Sequence, residues 1–229
     1  MQFLILYTID SLLHLIALQT NLLWLVYITK VLLMPLLMLY LWKQLKFDKS
    51  AHFVYAALFF SWLGDIFLMF PRSEYSASTK QLLFILGLSS FLIAHISYII
   101  SFIKEIKPNI RASITVRKTY LLLPFFVYLY SMLNFLFPYL GAMKIPVVVY
   151  AVCITTMLLA AFSRMHVVRR DSFYFVFVGA MFFLISDTVL SIQIFYIPLP
   201  YSRVIVMLTY IIAQLLIVYG TILQHKKKV

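Results

Sequence analysis

Apolar residues in this chain come in long, nearly uninterrupted runs, not in the period-two alternation of half-buried strands. Eight runs reach the length of roughly 17–25 residues that a helix needs to cross a bilayer. They lie at about Phe3–Leu18, Leu23–Trp42, Phe53–Phe70, Leu82–Ile103, Tyr120–Phe137, Ile145–Phe162, Phe173–Ile197 and Val204–Leu223. Charged, Pro, Asn and Ser residues concentrate between them, as at Pro71-Arg72-Ser73-Glu74 and Lys107-Pro108-Asn109. The pattern predicts an all-α, polytopic integral membrane protein of eight transmembrane helices. Residues 1–229 form a single transmembrane domain in this reading, since no connection is long enough to hold a second one.

Composition agrees with the pattern. The chain is 64% hydrophobic and 11% charged, with a mean hydropathy of +1.01. Soluble domains sit near half apolar and a quarter charged. The net charge of +12 would suit a nucleic-acid binder, but its carriers fall in short loops between apolar runs, so no nucleic-acid partner is expected. Lys and Arg instead report topology. Loops after the second, fourth and sixth spans, with the C-terminal tail, hold fourteen, and the other loops hold four. That asymmetry predicts cytoplasmic termini in a bacterial-type inner or plasma membrane. Met1–Ile9 has no basic leader pattern, and the single cysteine, Cys153, rules out an intrachain disulfide.

Against this background two residues stand out. Asp65, in Ser61-Trp62-Leu63-Gly64-Asp65, and Asp187, in Ser186-Asp187-Thr188, are carboxylates well inside spans. An ionisable group in lipid costs several kcal/mol at least, so it marks a functional site by default. Counted along their helices, both fall in the outer half of the bilayer. Ser61, Gly64 and Asp65 share one helix face, and Phe183, Asp187 and Ser191 share another. Asp48, Glu74, Glu105 and Asp171 sit among loop charges and are expected in solvent. Asp10, in the first span, is ambiguous.

A faint internal repeat favours pairing the two acids. Gly64-Asp65-x-x-Leu68 matches Ser186-Asp187-x-x-Leu190, Ala94-His95 matches Ala213-Gln214, and Val26-Tyr27 matches Val149-Tyr150, all at similar offsets. Four spans separate the copies, which would make two parallel four-helix repeats.

Two carboxyls in a low-dielectric site can offer one proton and one anion at the same time. Such a pair suits acid-initiated cleavage through an oxocarbenium-like state. It equally suits a proton relay in a transporter or lipid translocator. Lys30 and Tyr150, also in the outer half, and His95, Tyr98, Tyr210 and Gln214, nearer the midplane or below it, are candidate substrate contacts. Lys30 could instead pair with an aspartate. His95 alone is a poor ligand set, so no metal and no cofactor are expected. The nucleophile-elbow, zinc-protease, Walker and dinucleotide motifs are absent. Presenilin-type proteases would need glycine where Trp62 stands, and alkaline ceramidases need several intramembrane histidines.

Several stretches taken in order resemble the YhhN-type membrane proteins, which include the lysoplasmalogenases. They are Leu63-Gly64-Asp65, Leu86-Gly87 through Ala94-His95-x-x-Tyr98, and Tyr150 leading into Met157-Leu158. Val178-Gly179-Ala180-Met181-Phe182-Phe183-Leu184-Ile185-Ser186-Asp187-Thr188 and Thr209-Tyr210-x-x-Ala213-Gln214-Leu215-Leu216-Ile217 complete the set. One departure lies in the second span, where many members read Lys-Pro-Leu-Pro and this chain reads Lys30-Val31-Leu32-Leu33, with Pro35 displaced. The resemblance implies eight transmembrane helices and an ether hydrolase acting on lysophospholipid. Its substrate would be the vinyl ether bond of a lysoplasmalogen, and its products a fatty aldehyde and a glycerophospho-headgroup. Asp65 and Asp187 would be the acid and base.

Overall fold

The computed structural model describes residues 1–69 and 76–226. The loop expected at Pro71–Glu74, the end of the third span at Phe70, and Lys227 and Lys228 of the tail lie outside the described residues. The fold is 89% helical, with no strand among the described residues. Its α-helices are α1 (Gln2–Gln19), α2 (Leu23–Leu45), α3 (His52–Met69), α4 (Ala77–Ile106), α5 (Ile114–Arg117), α6 (Leu123–Leu136), α7 (Lys144–Ser163), α8 (Arg170–Phe195) and α9 (Ser202–His225). Eight segments are long and apolar enough to span a bilayer. They match the eight apolar runs, and the chain is an integral membrane protein. The fifth span is α6 extended at both ends by short 3-10 turns.

The helices outrun the apolar runs that foretold them. α4 starts five residues before Leu82 and ends three after Ile103. α8 begins three residues before Phe173. A helix satisfies its own backbone hydrogen bonds, so it continues through polar residues until a breaker or cap stops it. The α1–α2 turn has such a stop. Asn21 takes a left-handed conformation, with φ of 54°, which Asn tolerates better than most residues. Leu22 N–H then reaches back to Ala17 O at 3.0 Å, closing α1.

The chain divides into two compact units, Met1–Ser97 and Tyr98–Val229, with the boundary inside α4. In the first unit α1 is an inside-out helix. Its buried face is Tyr7, Asp10, Ser11, His14 and Ala17, while Ile5, Leu6, Ile9, Leu12, Leu13 and Ile16 are exposed. Water-driven burial does not operate against lipid, so the helix turns its polar and small residues inward. α3 buries Ser61, Gly64 and Asp65 together, the face that the i, i+3, i+4 spacing predicts. Gly64 lets α4 come close. A Cβ there would fall 2.6 Å from the Phe91 ring.

In the second unit α8 and α9 pack most closely. A Cβ on Gly179 would sit 2.9 Å from the Ala213 carbonyl, and one on Gly220 would sit 2.6 Å from Val176 Cγ2. Glycine on both facing helices is the small-residue packing that membrane helices use in place of a hydrophobic drive. The Ser186 hydroxyl donates to Val206 O at 2.9 Å across the same seam.

Glu105 and its neighbours correct one expectation. Glu105 lies in the last turn of α4 and is not a solvated loop residue. Arg164 Nε donates to Glu105 Oε2 at 2.6 Å, and the two side chains are 0% and 7% exposed. Arg164 also donates to Ser172 Oγ at 2.7 Å and lies over the Phe102 ring. His225 Nε2 meets the other carboxylate oxygen at 2.8 Å. These charges fall between apolar runs in sequence, but the extended ends of α4 and α9 and the turn that follows α7 draw them into one ion cluster.

Candidate active site

Asp65 is held in the first unit through an irregularity in α2. Pro35 has no N–H, so the carbonyl four residues earlier, Val31 O, loses its helical donor. The indole of Trp62 on α3 replaces it, with Nε1–H donating to Val31 O at 2.9 Å. Within lipid no water can take that place. The bond fixes α3 against α2 one turn from Asp65 and one residue from Lys30. There Lys30 Nζ and Asp65 Oδ1 are 3.6 Å apart, with side chains 15% and 5% exposed. The sequence leaves Lys30 open between a substrate contact and an aspartate partner. It pairs with Asp65.

Of the other expected site residues in this unit, His95 is fully buried on α4. Phe91, one turn away, packs against Gly64.

In the second unit α6, α7 and α8 converge on Asp187. The Tyr150 hydroxyl on α7 donates to Asp187 Oδ2 at 2.5 Å. Next to it, Tyr128 on α6 contacts Thr188 Oγ1 at 2.6 Å. The Thr188 hydroxyl spends its one hydrogen on Leu184 O, also at 2.6 Å, so Tyr128 must be the donor. Tyr128 was missed from sequence, where sixteen tyrosines made any one of them indistinct.

The remaining expected contacts form a second polar pair. The Tyr98 hydroxyl donates to Gln214 Oε1 at 2.5 Å, and both residues are fully buried. Tyr98 also stacks on Phe102. Tyr210 is buried edge-on against Phe183, with ring centroids 5.4 Å apart. Among the described residues, no three His, Cys, Asp or Glu side chains converge as a metal site would require.

Chemically, each intramembrane acid is gripped by a different kind of partner. Asp65 faces a full ammonium charge, and Asp187 faces a hydroxyl dipole. A buried carboxylate beside Lys30 makes a matched charge pair, which lowers the cost of keeping it ionised in lipid. The tyrosine holds Asp187 Oδ2 in a fixed orientation.

Eight helices among the described residues, each long and apolar enough to cross a bilayer, define a polytopic integral membrane protein. Residues 25–221 match the YhhN family, and the chain belongs to it. Among its curated relatives, lysoplasmalogenase TMEM86A of Homo sapiens is 29% identical over 177 residues, 76% of this chain and 66% of that protein. Lysoplasmalogenase TMEM86A of Bos taurus matches with the same figures. Lysoplasmalogenase TMEM86B of Rattus norvegicus is 28% identical over 182 residues, 79% of this chain and 66% of its own length. The chain thus aligns with 66% of the length of these relatives. No solved structure matches.

Proposed function

We propose that this protein hydrolyses the vinyl ether bond of lysoplasmalogens inside the membrane, releasing a fatty aldehyde and glycerophosphocholine or glycerophosphoethanolamine. The observation that carries the reading is that both family-motif aspartates lie within membrane-spanning helices and are individually held, Asp65 by Lys30 and Asp187 by Tyr150. Membership of the YhhN family and relatives named lysoplasmalogenase support the substrate class.

The reaction needs a proton placed on carbon. An acid protonates the outer alkene carbon of the vinyl ether, and the ether oxygen lone pair then makes an oxocarbenium ion. A carboxylate steadies that cation and takes a proton from the attacking water. The resulting hemiacetal collapses to aldehyde and glycerol hydroxyl, and the proton returns to the acid. One water is consumed and no net proton. The Lys30 ammonium favours Asp65 as the anion in this scheme, which leaves Asp187, oriented by Tyr150, as the proton donor. Tyr98, Gln214, Tyr210 and His95 are the further polar groups available to lysolipid. The loop-charge asymmetry favours cytoplasmic termini.

The test is mass-spectrometric product analysis of the purified protein against matched lysolipids with a vinyl ether, a saturated ether or an ester. Aldehyde from the vinyl ether alone is the expected result. Absence of aldehyde, together with lipid or solute uptake into proteoliposomes driven by a pH gradient, would replace hydrolysis with transport.

A further inference from the structure

A polar centre in the first unit is used by none of this chemistry. Asp10 and His14 lie one turn apart on the buried face of α1, before residue 25, where the family match begins. Asp10 is 7% exposed and His14 is 0% exposed. His14 Nδ1 is 2.8 Å from Thr29 Oγ1 on α2. The Thr29 hydroxyl already donates its single hydrogen to Leu25 O at 2.6 Å. Thr29 can therefore only accept, and the proton of the His14 ring must sit on Nδ1. In the neutral ring that leaves Nε2 as a bare acceptor, and Nε2 meets no protein donor. Asp10 Oδ2, buried on the same face, meets none either.

Two buried acceptors without donors are costly, about 1–3 kcal/mol each. Residues four apart on a helix hold their Cβ atoms roughly 5–6 Å apart, a gap that one small molecule bridges. Lys30, next in sequence to Thr29, lies within electrostatic range of His14, and its positive charge weighs against a cation between the two side chains. A neutral ligand with two hydrogens matches two acceptors. We propose that Asp10 and His14 form a binding site for a buried water molecule, which donates one hydrogen to His14 Nε2 and the other to Asp10 Oδ2. Buried waters characteristically occupy such otherwise unsatisfied sites. Thr29, which contacts His14, is followed in α2 by Lys30, the partner of Asp65.

X-ray hydroxyl-radical labelling of the full chain in lipid nanodiscs tests this directly, because radicals form from bound water in place and oxidise the side chain that touches it. His14 is out of reach of bulk solvent. The expected result is oxidation of His14, while Met34 and Met157, fully buried and of an intrinsically more oxidisable type, stay unmodified. The label should be lost in Asp10→Leu and kept in Asp10→Asn, which preserves a polar end. An unlabelled His14 in the wild-type protein overturns the proposal, and so does a label that survives unchanged in Asp10→Leu. If Asp10→Leu does not fold, the wild-type and Asp10→Asn proteins still decide the matter. The readout needs no turnover, so its failure and the failure of the hydrolase reading are separate results.

Discussion

The hydrogen bond from Trp62 to Val31 makes a prediction in which one substitution should rescue another. Trp62→Phe keeps an aromatic ring on α3 but deletes the indole N–H that lies 2.9 Å from Val31 O. Pro35 cannot supply a helical donor to that carbonyl, and lipid offers no water. The loss of a buried partner costs about 1–3 kcal/mol. On a scale of about 2–4 °C per kcal/mol for a chain of this size, a 2 kcal/mol loss lowers the melting temperature by roughly 4–8 °C. Pro35→Ala restores the backbone N–H that would bond Val31 O within α2. In that background the carbonyl no longer depends on the indole, so Trp62→Phe should cost only the small difference in ring packing.

The assay is thermal unfolding of the four proteins of the cycle in one detergent, read as a coupling energy so that the packing loss common to both backgrounds cancels. A coupling of about 1–2 kcal/mol is expected. Equal losses from Trp62→Phe in both backgrounds would refute the reasoning, because the indole would then not be replacing the missing helical donor.

Two further predictions concern the second unit. Arg164→Met leaves Glu105 buried with only His225 opposite it, and should destabilise by about 3–5 kcal/mol. Adding Glu105→Gln should recover part of that loss in the same unfolding assay, and no recovery would show that the ion pair is not the cause. Tyr150→Phe removes the donor to Asp187 Oδ2. A hydrogen bond of about 0.5–1.5 kcal/mol predicts a fall of roughly two- to ten-fold in aldehyde release with the fold retained, and undiminished turnover would exclude the bond from the reaction.

The eight spans were legible because lipid demands long apolar runs and leaves the chain little choice. Hydropathy located their apolar cores but not their ends, which helix continuity and caps decide. That is why Glu105, Arg164 and His225 read as loop charges and proved to be one ion cluster. The buried face of α3 followed from spacing alone, and so did the interior position of Asp65. Its hold on Lys30 did not, because depth ranks residues along the membrane normal and says nothing of azimuth. One signal was available and unread. A proline inside a span frees the carbonyl four residues earlier, so Pro35 pointed to Val31 and to a donor on a neighbouring helix. Asp10 stayed ambiguous in sequence, since a short first span does not reveal which face turns inward. Tyr128 could not be told from the other tyrosines until Thr188 was seen to need a donor.

The central claim is that Asp65 and Asp187 serve one hydrolytic reaction. Single-turnover aldehyde release from lysoplasmenylethanolamine tests it most directly, measured for the purified wild-type protein, Asp65→Asn, Asp187→Asn and the double variant after each is shown to fold. Groups that act as a unit in one step are strongly non-additive. The account predicts release by the wild-type protein, loss in each single variant, and a double variant no worse than the poorer single one. Substantial release by both single variants, or effects that multiply in the double variant, would contradict it.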